Sequence, residues 1–171
     1  ASVVITDINV AEGAAQARRL SADGLAVSFQ RQDVTSEDDW RRVIDETLQQ
    51  HGRLDVLVNN AGVATHINTE DISLQYWQEV LDINLTAPFL CSREAARGMI
   101  AAGAGGVIIG VTSVHDRMPW AGFSHYSASK GGQKLFLESI AQELAPHGIR
   151  VVSVAPGAIA TPINQEMLED P

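Results

Sequence analysis

Cysteine is nearly missing. The single Cys91 excludes an intrachain disulfide and suits a reducing, cytoplasmic setting. Basic charge is also scarce: 12 Lys and Arg stand against 21 Asp and Glu, a formal net charge of −9. No Lys/Arg cluster relieves that imbalance. Nucleic acid, which is held by phosphate neutralisation, is therefore not an expected partner, and neither is an anionic membrane surface. No apolar run approaches the roughly 20 residues of a membrane span. No secretory leader opens the chain, and no metal site is expected. There is no initial Met: Ala1 to Asp7 already reads as strand, and Asp170-Pro171 stops inside a polar stretch. Both ends are expected to be cut.

What is present suits one globular domain over residues 1–171, with 45% hydrophobic and 19% charged residues. Strand-length apolar runs alternate with helical patterns. Ser2 to Thr6 is β-branched and ends at Asp7; Leu25 to Phe29, Leu54 to Val58, Val107 to Thr112 and Ile149 to Val154 are further strand candidates. Between them, helical spacing covers Glu12 to Leu20, Trp40 to Leu48 behind the acidic Glu37-Asp38-Asp39, Leu74 to Ala102 with interruptions near Asn84 and Pro88, and Ser124 to Leu144. Five strands separated by helices predict parallel βαβ units, hence an α/β, doubly wound, Rossmann-like sheet. The apolar runs lack clean alternation, which suits strands covered on both faces. Ligands in such sheets bind at the carboxyl ends of the strands. That rule singles out Asp7, Gln30 to Asp33, Asn59 to Gly62, Ser113 and Pro156-Gly157.

The sharpest chemical signal is Tyr126-Ser127-Ala128-Ser129-Lys130, with Ser113 upstream at a strand end. Residues four apart on a helix share a face, so Tyr126 and Lys130 point the same way. A free tyrosine, with a pKa of about 10, is a poor base at neutral pH, and a neighbouring ammonium favours its phenolate. The trio makes a workable acid/base unit: Tyr126 exchanges a proton with a substrate oxygen, Lys130 tunes it, and Ser113 binds the same oxygen. Alone, a Tyr-x-x-x-Lys pair is more often a solvated helix face. Asn59-Asn60-Ala61-Gly62 could be only a turn, Asn84-Leu85-Thr86 also reads as a glycosylation sequon, and Gly131-Gly132 reads as allowance for close helix packing.

Taken together, these motifs resemble the short-chain dehydrogenase/reductase family in order and spacing along the whole chain. The matches are Asn59-Asn60-Ala61-Gly62, Asn84 within Asp82-Ile83-Asn84-Leu85-Thr86, the trio Ser113, Tyr126 and Lys130, and Pro156-Gly157 with Thr161-Pro162. The resemblance implies a nicotinamide-dependent oxidoreductase acting on a hydroxyl or carbonyl of a small molecule. It gives Asn84 a relay water leading from Lys130 to solvent, and gives Lys130 the nicotinamide ribose. Asn60, Ala61 and Gly62 would line the adenosine side, with Asp33 and Val34 at the adenine. Pro156, Gly157, Ile159 and Thr161 would lie along the nicotinamide.

Asp7 directs cofactor choice. An acid there bonds the adenosine ribose hydroxyls and repels a 2′-phosphate, and no arginine is its sequence neighbour, so NAD is expected over NADP. The segments Ser113 to Trp120, His125 to Gly132 and Pro156 to Asn164 resemble bacterial glucose 1-dehydrogenases. His115 then either bonds a sugar hydroxyl or caps its loop. The stretch Val63-Ala64-Thr65-His66 departs from that subgroup, lacking the acid expected after the Asn-Asn-Ala-Gly turn. The family also implies a homo-dimer or tetramer built on the helices from Leu74 and Ser124.

The family's opening strand with Thr-Gly-x-x-x-Gly-x-Gly has no counterpart here, nor has its last strand. In the family's sheet the opening strand is central, so its loss should separate Ser2–Phe29 from Leu54–Val154 and expose two apolar edges. Two expectations follow. Either the sequence is part of an active oxidoreductase, or the 171-residue chain is itself the product and is inactive, at most an interaction or oligomerisation piece.

Overall fold

The computed structural model describes residues 1–159. The strands are β1 (Ser2–Asp7), β2 (Ala26–Arg31), β3 (Val56–Asn59), β4 (Gly106–Val111) and β5 (Ile149–Val154), all paired in parallel. The helices are α1 (Val10–Ala22), α2 (Glu37–His51), α3 (Leu74–Leu81), α4 (Ala87–Ala102) and α5 (Ser124–Leu144). The α/β alternation of the sequence is thus observed.

Local chemistry sets the boundaries. Asn9, Ser36 and Ser73 cap α1, α2 and α3, each side-chain oxygen accepting a first-turn backbone N–H. Gly52 ends α2 and Gly103 ends α4, both in the left-handed region that a side chain disfavours. The interruption expected near Asn84 is a π-helical turn, Asp82–Thr86. Pro88 follows that turn directly, in the first turn of α4.

The strands form two sheets, β1-β2 and β3-β4-β5, and no ladder joins β1 to β3 among the described residues. The separation expected from the sequence is therefore seen. One expectation is corrected: among the described residues, β3 to β5 are not covered on both faces. α2, α4 and α5 cover one face, burying Leu57, Asn59, Ile108 and Ile149. On the other, Val56 (49%), Val58 (52%) and Val154 (52%) remain exposed, because no described helix lies over them.

The core joins Trp40 and Ile44 of α2, Leu90, Cys91 and Met99 of α4, and Leu57, Ile108 and Ile149 of the sheet. Burial pushes the Cys91 thiol well up, which keeps it protonated. Trp40 also donates its indole N–H to the Val34 carbonyl at 2.8 Å, fixing the loop after β2 to α2. Gly132 lets α5 approach the π turn: a Cβ there would stand 3.1 Å from Leu85.

Candidate active site

The carboxyl end of β4 and the first turns of α5 form one corner. Lys130 is 3% exposed. Its Nζ donates to the carbonyl of Val111 at 2.8 Å and to Gln133 Oε1 at 3.2 Å. The same Nζ lies 5.8 Å from the centre of the Tyr126 ring. Val111 is the last residue of β4, and the chain continues directly to Ser113. The ammonium therefore hangs from the strand end that carries the serine. Burial lowers the Lys130 pKa from 10.5 to about 8.

Ser113 is buried, and its Oγ accepts the His115 N–H at 3.2 Å, opening a short 3-10 turn over Val114–Asp116. His115 meets Tyr126 edge-on, with ring centroids 6.2 Å apart. Val114 N–H donates to the Pro156 carbonyl at 3.0 Å, which brings the Pro156-Gly157 loop beside Ser113. Lys130 is thereby set beside Tyr126 and the end of β4, and Pro156 beside the residue after Ser113. Gly157 and Ile159 continue that loop and are exposed, whereas Thr161 lies outside the described residues.

Asn84 is fully buried and acts as a clamp. Its Oδ1 accepts the Val63 N–H at 2.9 Å, while its Nδ2 donates to the Val63 carbonyl at 2.9 Å and to Ser129 Oγ at 3.0 Å. These bonds tie the loop after β3 to α5, and they close the sequon to glycan transfer in the folded chain. Asn59 is tied to the core through Ser92 Oγ at 3.1 Å. Gly62 sits against both Asn84 and Lys130: a Cβ there would be 3.3 Å from Asn84 Oδ1 and 3.4 Å from Lys130 Nζ.

A cleft of about 930 Å³ lies between the ends of β1 and β2, the loop after β3, helix α3 and the π turn. Asp7, Asp33, Val34, Asn60, Ala61 and Gly62 all line it, so the residues expected to serve the adenosine half share one space. On its wall the side-chain amide of Gln32 is buried with neither polar end partnered among the described residues. Buried amides are normally satisfied, and this one suits a polar ligand. One Asp7 oxygen accepts the Asn9 N–H at 2.7 Å. The ladder also sets Arg31 opposite Asp7, a neighbour that the linear sequence hides. Arg31 is held by Asp39 at 2.7 Å rather than turned to the cleft. The Asp39 carboxyl lies below its usual range, chiefly because it accepts the Asp33 N–H, with Arg42 and Arg31 adding to the effect against some burial. These residues fit an adenosine; no glycine loop for a pyrophosphate stands among the described residues.

Beside Tyr126 lies an aromatic cluster. His115, Trp120 and Phe123 stack, with His115 and Trp120 centroids 5.3 Å apart, and His66 meets Phe123 at 5.5 Å. The sequence singled out His115 but not its aromatic neighbours, which are scattered over loop residues without a spacing pattern. His115 Nδ1 lies 2.8 Å from the Met118 carbonyl, so that nitrogen caps the loop. His125 is fully buried against Tyr76, and burial lowers its pKa against a smaller opposing effect of the Thr65 backbone.

The family model for short chain dehydrogenase matches residues 1–171. A cyclopentanol dehydrogenase from Comamonas sp. is 37% identical, over 100% of this chain and 68% of that protein. The 3beta-hydroxysteroid dehydrogenase 1 of Eggerthella lenta is 34% identical, over 99% of this chain and 75% of that protein. Among solved structures, a gluconate 5-dehydrogenase from Burkholderia cenocepacia J2315, in complex with NADP and tartrate, superposes with a TM-score of 0.94 at 31% identity. That likeness covers 99% of this chain and 66% of that one, so the chain spans about two thirds of such a relative's length.

Proposed function

The chain belongs to the short chain dehydrogenase family, and from that premise we propose that the protein containing it oxidises a secondary alcohol, or reduces the matching ketone, with a nicotinamide cofactor. The observation that carries this reading is the buried Lys130 ammonium. It hangs from the strand end that leads to Ser113 and sits on one helix face with Tyr126. When bound, the cofactor supplies the hydride acceptor or donor. In oxidation Tyr126, as phenolate, takes the substrate's hydroxyl proton while the carbinol carbon gives up hydride. In reduction it returns the proton to the forming alkoxide. Ser113 donates to the same oxygen, and Lys130 favours the phenolate. Asn84 contributes to a proton relay by placing a water near Lys130. Its side chain is engaged by Val63 and Ser129, so that water would rest on its main chain.

For the cofactor we favour NAD over NADP. Asp7 brings a carboxylate to the cleft, while the nearby Arg31 is neutralised by Asp39 and does not offer itself to a 2′-phosphate. The gluconate 5-dehydrogenase relative carries NADP, which argues the other way. The ratio of kcat/KM for NADH and NADPH decides between them.

For the substrate, the wall of His115, Trp120 and Phe123 offers apolar contact to a saturated ring, and Val63-Ala64-Thr65-His66 supplies no carboxylate for a polyol. This supports an alicyclic alcohol, in line with the cyclopentanol and 3beta-hydroxysteroid dehydrogenase relatives. A sugar such as glucose is the second reading. It is favoured by His115, whose Nε2 is left as an acceptor when Nδ1–H serves Met118. Turnover of cyclopentanol, a 3β-hydroxysteroid, glucose and gluconate should be compared on the full-length protein, beside Tyr126→Phe. Cyclic alcohols are expected to lead. Faster glucose or gluconate turnover selects the sugar reading, and undiminished activity of Tyr126→Phe sinks the dehydrogenase mechanism. Exposed Phe89, Ile100 and Leu135 on α4 and α5 support a homo-dimer or tetramer, which sedimentation would test.

A further inference from the structure

From the placement of one buried amide, we propose that Gln133 is a positioning residue that holds the Lys130 ammonium charged and aimed at the reacting corner. The inference rests on the reading of Tyr126 and Lys130 as the acid/base pair. Gln133 lies one helical turn beyond Lys130 on the same face of α5. It is 0% exposed, and its Oε1 accepts from Lys130 Nζ at 3.2 Å. Its Nε2 is buried without a partner among the described residues. An apolar side chain would fill that space without the cost of an unpaired amide. The one polar contact the amide makes is therefore the reason to have it there.

The ammonium carries three N–H donors. The Val111 carbonyl takes one and Gln133 takes another, which leaves the third for the substrate corner. Both protein acceptors are neutral. They stabilise the charge without forming an ion pair that would pull the amine from Tyr126. Titratable groups on the elements around it are otherwise engaged. Asp116, on the turn after β4, pairs with Arg117 at 3.4 Å, and Asp82 of the π turn accepts from Gln78 at 2.9 Å. His115 bonds the Met118 carbonyl, and Tyr76 of α3 meets His125. Burial is the cause of the lowered Lys130 pKa, with no carboxylate opposing it, so a neutral acceptor is the support the ammonium has on α5.

The test uses the full-length protein and two variants, the near-isosteric Gln133→Met and the acceptor-retaining Gln133→Glu. Lys130 and Lys134 are this chain's lysines, and each signal in the full-length protein is assigned by its loss in the Lys→Met variant. NMR titration of 15Nζ-labelled lysine, without cofactor, should show the Lys130 midpoint falling by about one pH unit in Gln133→Met and rising in Gln133→Glu, with Lys134 unchanged as reference. In turnover, Gln133→Met should lose about fivefold in kcat at pH 8 and almost nothing at pH 6, because the amine then loses its proton sooner. Gln133→Glu should restore the pH 8 rate. An unmoved Lys130 midpoint, or a deficit equal at every pH, makes Gln133 a packing residue and overturns the proposal. If Tyr126→Phe is also active, the underlying dehydrogenase reading has failed instead; if it is inactive, only the role of Gln133 falls. Should Gln133→Met not fold, the Lys130 midpoint in Gln133→Glu decides by rising or standing still.

Discussion

The corner around α5 and the unit made by β1, α1 and β2 are held in opposite ways. At α5, Lys130, Ser129 and Asn84 are buried, and bonds link the loop after β3, the π turn, α5 and the end of β4. The β1-β2 pair is a two-stranded sheet of its own. It is tied to the remainder through α2: Asp39 binds Arg31 and the Asp33 N–H, and Trp40 binds the Val34 carbonyl. The proposed proton chemistry thus rests on a closed polar network, whereas the proposed adenosine side rests on a few contacts at one helix. A bonded network buried on all sides over-determines its atoms, and an open sheet edge does not.

The largest effect that could break this contrast is loss of catalysis. Lys130→Met should reduce kcat by at least about 100-fold, the lower range of a general acid/base contribution, and thermal unfolding should show the fold intact. Activity near that of the parent would mean that the closed corner is structural only. Next, NADH titration by calorimetry should show far weaker binding to the isolated 171-residue chain than to the full-length protein, because the adenosine side lacks a ladder between β1 and β3. Equal affinity would erase the difference between the two regions.

Smaller effects sharpen it. Asp7→Ser should move the NADH/NADPH preference towards NADPH by about tenfold in kcat/KM, near the weight of one charged contact. An unchanged ratio would remove Asp7 from cofactor choice. Lys130 also marks stability. It titrates near 8 when folded against 10.5 ordinarily, so between those values the unfolded chain binds more protons. Burying this amine therefore costs most below pH 8, and stability contributed at this site rises as pH climbs from 8 to 10.5. Denaturant titration at pH 7.5 and 10 should show that rise diminished in Lys130→Met. Smallest is Asp39→Asn. Because its folded pKa is lowered, the stability it adds is present above the ordinary carboxylate range and fades as pH falls through the folded value. The variant should melt a few degrees lower at pH 7, with the gap closing in acid.

The sequence by itself determined the alternation of strands and helices, through β-branched runs and helical spacing. It also marked Ser113, Tyr126 and Lys130, since a four-residue helical step is a local rule that needs no neighbour. Long-range partners were beyond it. Only the tertiary structure set Arg31 opposite Asp7, clamped Asn84 onto Val63 and Ser129, gathered His115, Trp120 and Phe123 beside Tyr126, and put Gln133 under the ammonium. Among the described residues it also left one face of β3 to β5 bare where apolar runs alone suggested cover on both. Backbone periodicity is written in neighbouring residues, whereas burial and hydrogen-bond partners depend on which distant segments meet.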